Sequence, residues 1–385
     1  MGEIYFDNAA TTAICPEAVA AMQPYLEDFY GNPSSMHRKG YEAEKAVKAA
    51  RKDWAALLGC VEQEVFFTSG GTEGNNTAII GAAMAAKRRG KHIITTMIEH
   101  ASVFETCGYL EQQGFEITRL PVDRNGTVDP ERLRQALRED TILVAVMAVN
   151  NEIGSIMPLE TLGSVIKEYN DQIVFFCDAI QAFGKIEMPL KKWQVDLLSV
   201  SGHKFHGPKG VGVLYKKQGV RILPLLYGGG QQDGLRSGTE NTMGIAGLTA
   251  AAQVQCAHLK ADYRNKMTVL RETLTAGLAD LPEIWINQSA TAQVPQIVSL
   301  TIQGVRSEVL LHSLEDEGIY ISAGSACSSH KRSPSRSLVG IGLSSVEAES
   351  TVRISFCMSN TTEEVKRLTE ALHRLVPALR LFKRK

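Results

Sequence analysis

Apolar residues recur at two distinct periods along this chain. In "YEAEKAVKAARKDWAALLG", Tyr41, Val47, Ala50, Trp54, Leu57 and Leu58 keep helical spacing up to Gly59, which predicts an amphipathic helix. "EVFFTSGGTEGNNTAIIGAAMAAKRRG" follows as a short apolar strand, a glycine-rich turn and a helix ending at Gly90, the opening of a parallel strand-helix-strand unit. "ILVAVMAVN", "QIVFFCDA" and "VDLLSVSG" are apolar without alternation, the pattern of strands covered on both faces, and "LETLGSVIKEY" supplies a helix between the first two. Together they predict an α/β fold around a mostly parallel sheet. From about residue 255 the texture changes to a long polar helix, "QIVSLTI", "RSEVLLHSLEDEG", "IYISA" and the alternating "TVRISF". A last helix opens at Thr361, with Glu364 at capping-box spacing. This predicts a large domain over 14–255 and a smaller α+β domain made of 1–13 and 256–385.

Composition narrows the function classes. Across 385 residues, 41 Lys and Arg nearly balance 42 Asp and Glu, so no long-range field recruits nucleic acid or an anionic membrane. The start "MGEIYFDNAATT" lacks a basic region followed by an apolar core, and the longest apolar run, "ILVAVMAV", falls far short of the roughly 18 residues of a spanning helix. A cytoplasmic location is expected. The seven cysteines are scattered with no Cys-x-x-Cys pair, so neither a disulfide framework nor a zinc site is indicated. Cys177 and Cys357 sit in strand-like apolar runs and read as core thiols, whereas Cys327 in "GSACSSHKRS" has small, hydroxylated and basic neighbours.

In open parallel sheets, ligands bind beyond the carboxyl ends of the strands. There this chain places Asn151, then Asp178 and Gln181, then Ser201, His203 and Lys204. Each has an ordinary reading as a loop, cap or solvated bend residue. Collected on one edge, a lysine amine and a carboxylate are the two protein groups a pyridoxal phosphate enzyme requires: one to form an imine, one to keep the pyridine nitrogen protonated. "SGGTEGNN" offers a phosphate cradle, since Gly70 and Gly71 let backbone N–H groups approach an anion at a helix start and Thr72 adds a hydroxyl. His100 follows a further apolar strand and could lie against a planar ring. The His-x-x-His pair of His203 and His206 has no obvious third ligand nearby, so no metal is expected.

"YFDNAATT", "GNPSSMH", "FTSGGTEGNN", "EHASV", "NNEIG", "DAIQ", "SGHKFHGPKGVG", "RSGTEN" and "GSACSS" occur here in order, and this set resembles the cysteine desulfurases of the NifS/IscS type, class V aminotransferases of pyridoxal phosphate fold type I. The resemblance runs from Tyr5 to about Arg353. It implies a seven-stranded, mostly parallel sheet in the large domain, with the cysteine loop and a substrate-binding arginine in the small one. It also implies pyridoxal 5'-phosphate as cofactor, with Lys204 as its Schiff-base lysine, Asp178 on the pyridine nitrogen, Gln181 on the ring hydroxyl, His100 stacked on the ring and Asn151 beside it. Gly71, Thr72, Ser201 and His203 would hold the phosphate, joined by Thr239 from the second subunit of a homodimer. Arg353, assisted by Asn32, would bind the carboxylate of L-cysteine, and in "TVRISF" it stands on the strand face opposite Val352, Ile354 and Phe356. Cys327 would take the substrate sulfur, leaving alanine and a persulfide for an acceptor protein. Arg353 follows Cys327 by 26 positions, a separation similar to that of the long-loop desulfurases. Gly74 departs from the usual alanine, and the chain closes on "LRLFKRK" without the tail that docks an iron-sulfur scaffold, so a tRNA-thiolation enzyme is also an eligible acceptor. A selenocysteine lyase or a transaminase would keep Lys204 and Asp178 without depending on Cys327, and the intact Lys204, Asp178 and Arg353 argue against a cofactor-bound protein that docks sulfur-transfer partners without turnover.

Overall fold

A computed structural model describes residues 2–287, 293–324 and 334–381. Its centre is a seven-stranded sheet in the spatial order Val65–Thr68, Gly212–Lys216, Leu197–Ser201, Val174–Asp178, Thr141–Met147, His92–Thr96, Glu116–Leu120. Gly212–Lys216 runs antiparallel to both neighbours and the other pairings are parallel, so the mostly parallel seven-stranded sheet implied by the resemblance is present. The unalternating runs are buried along their whole length because helices cover both faces. On one face Trp54, Phe183 and Phe205 form a ring cluster; Phe183 stands 4.8 Å, centroid to centroid, from each of the other two. On the other, helix Gly71–Ala86 lays Ala78, Ile79, Ala82 and Ala83 against Phe66 and Phe176.

The amphipathic helix predicted in the first third spans Arg38–Leu58 and ends on Gly59, whose φ of 67° is a left-handed cap. Helix Thr242–Ala261 runs through residue 255, where the change of texture falls. The C-terminal part has an antiparallel four-stranded sheet in the order Ser322–Ala323, Thr351–Ser355, Ile297–Ile302, Ile284–Ile286, with its own apolar core. Thr361 and Glu364 close the expected capping box: the Thr361 N–H donates to Glu364 Oε2 (2.9 Å) and the Glu364 N–H to Thr361 Oγ1 (3.2 Å).

The first fifteen residues tie the two sheets together. Ile4–Tyr5 pairs in parallel with Ile319–Tyr320, and Phe6 packs edge-on against Phe356 at 5.4 Å. Asp7 bridges to Ser355. The chain then crosses to the far side of the cleft, where the Thr12 N–H donates to the His203 carbonyl (3.0 Å) and the Cys15 N–H to that of His206 (2.9 Å). The strap thereby delivers the Ala9 and Ala10 carbonyls to the sheet edge. Among the described residues, no helix is long and apolar enough to cross a membrane.

Candidate active site

Beyond the carboxyl ends of the central strands lies a cavity of about 320 Å³. Gly71, Thr72, His100, Asn151, Asp178, Gln181, Ser201, His203, Lys204 and Arg353 line it, together with Ala9, Ala10, Ser102, Met147, Val149 and Ile180. Ten of the residues singled out from the sequence are thus brought to one space. Asn32 and Thr239 are exposed and do not line it, and Cys327 lies outside the described residues.

Local folding explains each position. Strand Val174–Asp178 ends on Asp178, and the following turn returns Gln181 to the same edge. Strand Leu197–Ser201 runs into a single 3-10 turn, Gly202–Lys204, pinned by the Gly202 N–H to the Val211 carbonyl (3.1 Å), which brings His203 and Lys204 over the cavity. Gly70 has φ 145° and ψ −171°, a backbone region closed to residues with a Cβ, and a Cβ on Gly71 would lie 2.1 Å from Ile180 Cδ1. These two glycines let the chain turn sharply into helix Gly71–Ala86, whose first N–H groups lack intrahelical acceptors and carry the positive end of the helix dipole. Ser201 and His203 line the cavity on the same side as that helix start.

Lys204 Nζ donates to the Ala9 carbonyl (2.9 Å) and the Ala10 carbonyl (2.7 Å), which fix the amine inside the cavity. Asp178 is 3% exposed. It accepts from the Ile180 N–H (3.0 Å) and from Asn75 Nδ2 (2.8 Å). Burial pushes its carboxyl up from the ordinary range, while His100, these two donors and Lys204 pull it down. A cationic ring nitrogen facing Asp178 would offset that desolvation. Burial, Lys204, Lys209 and Lys185 drive His203 down to about 4, so its imidazole is neutral at physiological pH. His100 is also pushed down, chiefly by burial. The Ser102 N–H donates to His100 Nδ1 (3.2 Å), so Nδ1 is an acceptor and the neutral ring carries its proton on Nε2.

Asn75 is a residue the sequence reading did not single out. It is fully buried, and its Nδ2 donates both to Asp178 and to Ser102 Oγ (2.8 Å), while its Oδ1 accepts from Ser199 Oγ. Ser102 in turn donates to His100 Nδ1 (2.8 Å), so one amide holds the carboxylate and, through Ser102, the imidazole. Replacing Asn75 with alanine leaves those buried groups short of partners and is expected to cost about 2–3 kcal/mol of stability. A lowered denaturation midpoint with unchanged m-value checks this.

Arg353 sits in the strand Thr351–Ser355 with Val352 and Ile354 turned into the C-terminal core, and its guanidinium lines the cavity. One terminal nitrogen donates to the Asn151 carbonyl (2.9 Å) and the other to Asp7 Oδ1 (2.7 Å). Its buried Nε has no partner among the described residues. The arginine is therefore oriented from two sides with donor capacity left over, a setting suited to a carboxylate ligand. Asp7 too was missed from sequence.

None of the six described cysteines lines this cavity. Burial raises the thiols of Cys15, Cys60, Cys107, Cys177 and Cys256, Cys60 and Cys107 up to about 12. The described residues flanking Cys327 are anchored beside the cavity: Ser322 pairs with Arg353, and Ser337 Oγ donates to Glu152 Oε1 (3.1 Å), next to Asn151. Ser335 Oγ donates to the same carboxylate.

A glycine-built anion cradle at a helix start, a lysine amine and a buried carboxylate sharing one cavity fit pyridoxal 5'-phosphate, and on this sheet they define an enzyme of fold type I in that cofactor class. The chain belongs to the aminotransferase class-V family, whose description matches residues 4–368. It is 45% identical over 377 residues to the cysteine desulfurase IscS of Methanosarcina thermophila, covering 98% of this chain and 93% of that protein. Among solved structures, a NifS-like protein superposes with a TM-score of 0.93 at 38% identity, covering 98% of this chain and 100% of the other. A structure described as SspA in complex with cysteine does so with a TM-score of 0.81 at 34% identity, covering 92% and 98%.

Proposed function

We propose that this protein is a cysteine desulfurase that converts L-cysteine to L-alanine and a persulfide on Cys327. The observation that carries the reading is the placement of Lys204, Asp178 and Arg353 around one cavity beyond the strand ends. Pyridoxal 5'-phosphate, when bound, supplies an electron-withdrawing ring that weakens bonds at the substrate's α-carbon. Lys204 Nζ is the amine that would hold its aldehyde and, when released, a base inside the cavity. Asp178 would keep its ring nitrogen protonated, and Gln181 would donate to its ring oxygen. His100 would lie on the ring, with Asn151 beside it. The Gly71 and Thr72 N–H groups, the hydroxyls of Thr72 and Ser201, and His203 would take its phosphate.

Arg353, aimed by Asp7 and the Asn151 carbonyl, orients the substrate carboxylate. The Cys327 thiolate attacks the substrate sulfur, so that an S–S bond forms as the C–S bond breaks. The electron pair of the broken bond stays on carbon, which takes a proton and leaves as alanine. The persulfide then passes to an acceptor protein, an iron-sulfur scaffold or a tRNA-thiolation enzyme.

In this reading the protein works in the cytoplasm as a homodimer, Thr239 completes the phosphate site of the opposite subunit, and Asn32 assists Arg353 from outside the cavity wall. Arg236, close to Thr239, is already fixed to Glu73 in the first turn of the cradle helix at 2.9 Å. We take residues 14–255 as the cofactor domain and 1–13 with 256–385 as the smaller one.

The test is stoichiometry. Purified protein loaded with pyridoxal phosphate and given L-cysteine and a thiol reductant is expected to release alanine and sulfide one for one. Turnover of selenocysteine without turnover of cysteine would favour a lyase.

A further inference from the structure

Four residues after Gln181, in the run of turns that follows strand Val174–Asp178, stands Lys185, which the mechanism above does not use. Its ammonium donates to Gln181 Oε1 at 2.9 Å. The other end of the same amide, Nε2, donates to the Ala9 carbonyl at 2.8 Å, and that carbonyl also receives Lys204 Nζ. Gln181 is 3% exposed. An ammonium has no lone pair to offer and a carbonyl has no proton, so the two neighbours fix the amide's orientation between them. Gln181 must turn its oxygen to Lys185 and its nitrogen to Ala9, which leaves the second Nε2 hydrogen as the polar group it can present to the cavity. Drawing Gln181 Oε1 toward a cation also polarises the amide and strengthens Nε2 as a donor.

We infer that Lys185 is a positioning residue that locks and polarises Gln181 so that it donates to the ring oxygen of the cofactor and keeps that oxygen anionic. The inference rests on the pyridoxal phosphate reading of the cavity, and it adds a residue behind the site's wall. Lys185 lines a small pocket at the back of the cavity, whose other titratable residues are Lys204, His206, Tyr263 and Cys357, and, being half-buried, it also borders a larger open pocket that holds Glu187, Cys256, Lys260 and Arg264. Burial, with Lys204 and Arg353 nearby, lowers its amine to about 7, while Cys357 acts in the opposite sense. Below that value Lys185 is cationic and the lock is at full strength. Above it the amine still donates to Gln181 Oε1, with less polarisation.

The experiment is a pH titration of the visible absorbance of the bound cofactor in wild type and in Lys185→Met, Lys185→Gln and Lys185→Arg holoenzymes. A weaker donor destabilises the ring oxyanion most in the deprotonated chromophore, so the midpoint should rise. The expected rise is roughly one pH unit in the Met variant, the size of one charge-assisted hydrogen bond. It should also rise in the Gln variant, whose amide accepts as well as donates, and stay near wild type in the donor-only Arg variant. If the Met variant does not fold, the comparison of Gln with Arg, two long polar side chains, carries the test. An unchanged midpoint in the Gln variant, or a rise in the Arg variant equal to that in the Gln variant, overturns the assignment. A wild-type protein with no visible cofactor band would instead overturn the cofactor reading on which it rests.

Discussion

Lys204→Ala is expected to abolish the visible absorbance of the cofactor-loaded protein and to lower cysteine turnover by roughly 10²–10⁴-fold or more, the range for removing one proton-transferring group before the loss of covalent anchoring is counted. The substitution also deletes the donor to the Ala9 and Ala10 carbonyls. Those carbonyls border a cavity that water can enter, so the penalty to folding is expected to be modest, about 1 kcal/mol for each exchanged hydrogen bond. A circular-dichroism melt close to wild type, together with the lost absorbance, separates the missing amine from a damaged fold. A visible band persisting in the variant would remove Lys204 from its role.

Cys327→Ser is expected to divide the chemistry at a different place. The cofactor band should remain, because Lys204, Asp178 and the glycine cradle are untouched, while sulfide release from L-cysteine falls to background. The reason is nucleophilicity: a serine hydroxyl is almost wholly protonated at neutral pH and cannot replace a thiolate attacking sulfur. No described cysteine is placed to substitute, since none lines the cavity and burial holds the thiols of Cys60 and Cys107 up to about 12. In wild type, mass spectrometry of the protein after cysteine turnover without reductant should find one added sulfur atom on the peptide carrying Cys327. Undiminished sulfide release by Cys327→Ser would favour a lyase that needs no enzyme thiol.

Legibility from the sequence follows the range over which each signal acts. Thr141–Met147, Val174–Asp178 and Leu197–Ser201 are continuous apolar runs, and the polar residues directly after them reach the cavity because a parallel sheet places successive carboxyl ends on one edge. Glu116–Leu120 did not stand out, since it is an edge strand whose residues are mostly part-exposed and of mixed polarity. Gly212–Lys216 opens on a glycine just after the Gly/Pro-rich "HGPKG", and its strand character comes from the two neighbours it joins. Asn75, Asp7 and Lys185 owe their importance to partners set by tertiary folding. Asn75 meets Ser102, Asp178 and Ser199, Asp7 meets Arg353, and Lys185 meets a glutamine whose other end is fixed by the N-terminal strap. A polar residue within a helix or loop reads as solvated until those partners are known. The ordered motifs supplied the other part, because they assign roles that local pattern leaves open.

Borohydride reduction of the cofactor-loaded protein, followed by proteolysis and mass mapping, tests the central claim most directly. A single pyridoxyl adduct is expected on Lys204, in the peptide containing "SGHKFHGPK". An adduct on Lys185 or another lysine, or no adduct at all, would contradict it.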